Sequence, residues 1–102
     1  MEFSQHTIGQ LQAHTQQHVT QQGFPYKVTG TGGGRHTIDV TLMDPAAHPA
    51  RGIVLRLTED FLRFSDQHRV FEVLEQQASY FCKQGLQEQE GDNFPVILIR
   101  AP

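Results

Sequence analysis

His14 and His18 stand four residues apart, and on a helix that spacing turns both imidazoles to one side, as in half of a zinc site. A zinc centre needs at least a third protein ligand. No Glu follows His14 as it would in HExxH, and Cys82 is the sole cysteine, which excludes a thiolate cluster within one chain. His6 lies two turns earlier and could line the same side, and a dimer pairing two such helices could complete four ligands; neither metal nor cofactor is expected. The run Gly30-Thr31-Gly32-Gly33-Gly34 has the composition of a phosphate cradle. A strand rather than a helix start follows it at His36-Thr37, so it is expected to be a flexible hairpin tip with Arg35 and His36 at its exit. Cys82 falls late in an amphipathic helix beside Phe81 and is expected to be a buried, inert thiol. No Gly-x-Ser-x-Gly elbow occurs, and Asp39, Asp44 and Asp60 fall on a strand face, a turn and a helix start. No catalytic residue is expected.

The segment that carries the histidine pair is unusual in its own right. Between Glu2 and Lys27 there is no Asp, Glu, Lys or Arg, and Gln, His and Thr surround a sparse apolar series. Solvent-facing helices usually mix charges for solubility and i,i+4 support, so an amide and imidazole face is expected to lie against another surface. Amides carry no charge to desolvate, which keeps such burial inexpensive if their hydrogen bonds are met. Gln10, Gln12, Gln16, Gln17 and Gln21 are therefore expected to be buried at a contact, with Gln10, His14, Gln17, His18 and Gln21 as partner-binding residues, and Gln76, Gln77 and Tyr80 offer a similar low-charge surface.

The elements that must position these residues follow from periodicity and caps. Ser4 caps a helix over 5–22 whose stripe is Ile8, Leu11, Thr15 and Val19, and Gly23 and Pro25 stop it. Strands over 26–29 and 36–43 flank the glycine run, with Ile38, Val40 and Leu42 alternating against Thr37, Asp39 and Thr41. Ile53, Leu55 and Leu57 mark a third strand. Thr58-Glu59-Asp60 opens a short helix holding Phe61, Leu62 and Phe64, and Ser65-Asp66 opens a longer one to about 84, ended by Gly85. Residues 86–93 read as an acidic loop and 95–100 as a largely buried last strand. The expected fold class is α+β in the order α-β-β-β-α-β: a mostly antiparallel four-stranded sheet with two helices on one face, in one domain of 1–102.

Charge narrows the function classes. Eight basic against 11 acidic residues give a formal charge of −3, so unspecific attraction to nucleic acid or anionic lipid has no support. Glu2, Asp39 and Asp44 against Lys27, Arg35, Arg51 and Arg56 leave residues 1–57 slightly basic, and the acidity lies in the second half. There Glu88 and Glu90, with Glu72, Glu75 and Asp92, could mimic phosphate toward a nucleic-acid-binding partner. One cysteine, no charged start with an apolar run behind it and no run of about 20 apolar residues fit a cytoplasmic protein.

The order α-β-β-β-α over 4–84, with Pro25-Tyr26-Lys27 opening the first strand, resembles a double-stranded RNA-binding domain. Such domains grip phosphates with lysines at the start of the second helix, where this chain has Thr58-Glu59-Asp60. The expectation is therefore a non-catalytic protein-binding module: a small inhibitor, regulator or adaptor of a larger bacterial or phage assembly, and a homodimer. Nucleic-acid binding is the alternative.

Overall fold

The computed structural model describes residues 3–101; Met1, Glu2 and Pro102 of the expected domain lie outside them. Ser4 caps α1 (Gln5–Gln21), its hydroxyl accepting from the Thr7 amide at 3.1 Å. Ile8, Leu11, Thr15 and Val19 are buried as their spacing requires, and Thr15 satisfies its hydroxyl by donating to the Leu11 carbonyl at 2.8 Å. β1 (Lys27–Gly32), β2 (Ile38–Asp44) and β3 (Arg51–Leu57) form an antiparallel meander in which Gly30 lies opposite Val40 and Val40 opposite Leu55. Thr58 caps α2 (Glu59–Phe64), and Asp66 caps α3 (Gln67–Gln84) by accepting from the Arg69 amide at 2.8 Å. Gly85, with φ 92°, ends α3.

The sheet departs from expectation in strand number and direction. Among the described residues it has five strands and is mixed: β5 (Val96–Ile99) runs parallel to β3, and β4 (Gln87–Glu88), in the segment expected to be loop, pairs antiparallel with residues 51 and 52. α2 and α3 return the chain to the end at which β3 began, so the next long strand has to run alongside β3 in the same direction. The core lies between the helices and one sheet face, where Val40, Leu42, Ile53, Leu55 and Leu57 meet Leu11, Val70 and Leu74. No helix among the described residues is long and apolar enough to cross a membrane.

The glycine run is also used differently. β1 extends through Gly32, so the hairpin loop shrinks to 33–37. A Cβ on Gly30 would lie 3.1 Å from Ile8 Cγ2 and 3.3 Å from Gln12 Cβ, so this glycine lets α1 approach the strand.

Candidate functional site

The histidine pair of α1 turns inward along the chain's own α3. His14 stacks on Phe71 with centroids 4.0 Å apart and rings within 7° of parallel, and its Nε2 lies 3.2 Å from Glu75 Oε1. His18 Nε2 lies 2.7 Å from Ser79 Oγ, whose own hydroxyl donates to Gln22 Oε1 at 3.0 Å. Ser79 has a single proton, so His18 donates from Nε2. A cleft of about 240 Å³ opens beside this seam, lined by His14, His68, Phe71, Glu72 and Glu75. Among the described residues no three such side chains are placed to hold a metal ion.

The glutamines divide into two sets. Gln12 Oε1 accepts from the Gly30 amide at 3.0 Å; Gln16 Oε1 accepts from the Val28 amide at 2.9 Å while its Nε2 donates to the Tyr26 carbonyl at 3.0 Å. Gln16 thus presents one donor and one acceptor to alternate residues, Tyr26 just before β1 and Val28 within it, as a neighbouring strand would. Side-chain amides thus occupy both outward N–H groups between Lys27 and Thr31 on the β1 edge, and a charged residue in place of Gln16 would lack one of its two functions. Gln17 and Gln21 are exposed and Gln10 is half-buried, and none of the three makes a side-chain hydrogen bond among the described residues.

The sheet face turned away from the helices is bare. Cross-strand register aligns three rows on it: Lys27, Met43 and Gly52; Thr29, Thr41, Val54 and Val96; Thr31, Asp39, Arg56 and Leu98. Val96 is 41% exposed and Leu98 45%, although an unbroken apolar strand had pointed to burial. As a sheet edge, β5 buries only its odd residues under the helices. Phe94 lies over Gly52, where its ring atoms would stand 3.0 Å from an added Cβ. Arg56 donates to both carboxylate oxygens of Asp39, at 2.9 and 3.1 Å, so these two charges neutralise each other and Lys27, at the end of the first row, is the remaining charge in the three rows. The outward residues of β2 were legible as an alternation, whereas those of β3 and β5 lay inside apolar runs that carry no sign of a bare side.

Next to the third row stands the hairpin tip. Arg35 and His36 are exposed and both adopt φ 57°, a left-handed conformation that costs a residue with a Cβ about 1–2 kcal/mol. The edge of the Phe3 ring meets His36 at 5.2 Å. At the opposite end of the sheet Glu88 pairs with Arg51 at 3.3 Å, and Glu90 sits exposed in a turn closed by backbone bonds to Asn93. Arg35 and His36 therefore stand in the loop beyond the third row, with His36 against Phe3 on the helix side of the sheet, Gln17 and Gln21 lie on the helix layer, and Glu88 and Glu90 lie in and just after β4.

Cys82 is 3% exposed, and burial pushes its thiol up from 9.0 to about 11. The unfolded chain releases this proton near pH 9 and the folded chain only near pH 11. The native advantage is complete below pH 9 and is lost as pH rises through about 11. Tyr26, raised by burial first and by Asp44 next, adds the same sign. The expected loss between pH 8 and pH 10 is about 1 kcal/mol from the thiol, read from urea midpoints, and it disappears in Cys82→Ala. An equal loss in the variant would assign the slope elsewhere.

No family model, curated protein or solved structure matches this chain.

Proposed function

We propose that this protein is a non-catalytic binding module, a small inhibitor, regulator or adaptor of a larger bacterial or phage protein assembly, with its partner seated on the bare sheet face and the adjoining hairpin tip. The observation that carries this reading is the one-sidedness of the sheet. Met43, Val54, Phe94, Val96 and Leu98 gather on the β3 and β5 side of it around an ion pair that already satisfies itself, with the uncharged Thr29, Thr31 and Thr41 and the exposed Lys27 toward β1, an apolar centre with a polar rim that supports an interface. The alternative of nucleic acid loses two of its four basic residues, since Arg56 is held by Asp39 and Arg51 by Glu88.

The test is affinity capture from the native host with the wild-type chain, Val54→Lys and Gln17→Lys. One stoichiometric protein is expected on the wild type and on Gln17→Lys, with retention on Val54→Lys reduced tenfold or more, the loss of about 1.4 kcal/mol that a central contact supplies. Retention by a Val54→Lys chain of unchanged circular dichroism would remove the bare face from the reading. Loss in Gln17→Lys would move the contact to α1.

A further inference from the structure

The two edges of the sheet are treated differently, and we infer that the untreated one is built to pair with a second copy of this chain. Along β1 and the residue before it, the Tyr26 carbonyl and the outward amides of Val28 and Gly30 are taken up by Gln16 and Gln12. On β5 the Pro95 carbonyl accepts from the Val54 amide and the Ile99 carbonyl from the Thr58 amide, so the odd residues face β3. A parallel ladder alternates, which turns the N–H and C=O of Val96, Leu98 and Arg100 outward. Among the described residues nothing pairs with them. β5 carries no charge, Pro or bulge along Val96–Ile99; Pro95 and Arg100 bracket it.

The edge is complementary to itself. Antiparallel pairing of two β5 strands about a two-fold axis at Leu98 sets Leu98 against its own copy and Val96 against Arg100 of the other, and joins every outward donor to an acceptor. No like charges stand opposite each other in this register. The axis lies perpendicular to the sheet, so both bare faces turn to one side and merge into a doubled surface. With the outward amides of Val28 and Gly30 occupied on β1, a strand arriving at that edge finds neither donor free, so the assembly built through β5 stops at two copies. A strand from an unrelated protein would satisfy the same backbone groups, but nothing in the edge would limit it to one direction or register.

Sedimentation over a range of concentrations and single-cysteine cross-linking test the pairing. Leu98→Cys places two thiols on residues with Cα atoms about 5.5 Å apart, within disulfide reach, whereas two Val96→Cys residues sit four positions apart along the pair. The native thiol is buried and does not compete. Expected are a wild-type dimer that dissociates on dilution, covalent dimer in Leu98→Cys at least tenfold faster than in Val96→Cys, and a monomer in Leu98→Pro. Proline at 98 removes an outward N–H and leaves the bonds to β3 in place. A wild-type chain that stays monomeric at every concentration, or equal cross-linking of the two cysteine variants, overturns the proposal. Host capture by the bare face is read separately and survives either result.

Discussion

Gly52→Ala is expected to lower the unfolding free energy by about 3 kcal/mol, the upper range for forcing one extra carbon into a packed site. A Cβ at this position would lie 2.8 Å from the Leu42 carbonyl oxygen and 3.0 Å from two atoms of the Phe94 ring. The ring can swing away. The carbonyl cannot, because Leu42 and its neighbours are held in the ladder between β2 and β3, where Leu42 faces Ile53 and Met43 faces Gly52. Most of the cost is therefore backbone displacement, and a smaller share is the ring. In a Phe94→Ala background the same substitution should cost about 1 kcal/mol less, a coupling of the size found between touching side chains. Urea denaturation of the four proteins measures both quantities. Equal costs in the two backgrounds would remove Phe94 from the explanation, and a neutral Gly52→Ala would remove the explanation itself. The consequence reaches the proposed surface, since a displaced ring leaves one end of the bare face without its largest apolar group.

The parts legible in the sequence are those whose cause is local. Ser4, Thr58 and Asp66 announce helix starts because a side-chain oxygen meets an amide three residues on, and each does so here. Residues 38–42 announce a half-buried strand because their alternation matches the pleat. The direction of β5 is different in kind. It depends on where α3 delivers the chain, and Val96-Ile97-Leu98-Ile99 reads the same in a parallel, antiparallel, buried or edge position. The glycines misled for a similar reason: Gly30 answers to Ile8 and Gln12, far away in sequence, while composition alone suggests a loop. The charge-free helix was legible as an anomaly, but an amide serves water, a partner or its own strand edge equally well. Only the fold sends Gln12 and Gln16 to β1 and leaves Gln17 and Gln21 in solvent.

That division makes the double variant Gln12→Ala/Gln16→Ala the most informative change on α1. It deletes three hydrogen bonds to Tyr26, Val28 and Gly30 along the β1 edge, at about 1 kcal/mol each where water replaces them imperfectly, for an expected loss of about 2–3 kcal/mol. It also opens a second pairing edge. A chain with β1 and β5 both available no longer closes at two copies, and its sheets extend end to end, so light scattering should grow with concentration where the wild type shows one size limit. Gln12→Glu/Gln16→Glu separates the two effects: carboxylates still accept from the Gly30 and Val28 amides and place charge along the edge, so growth is suppressed although the bond to the Tyr26 carbonyl is gone. A double alanine variant of unchanged size and stability would show that β1 is protected by something other than these amides. Adding Leu98→Pro to the double alanine chain closes β5 again and leaves β1 as the sole open edge. Growth should then halt at pairs joined through β1, because two-fold pairing needs one free edge and extension needs two.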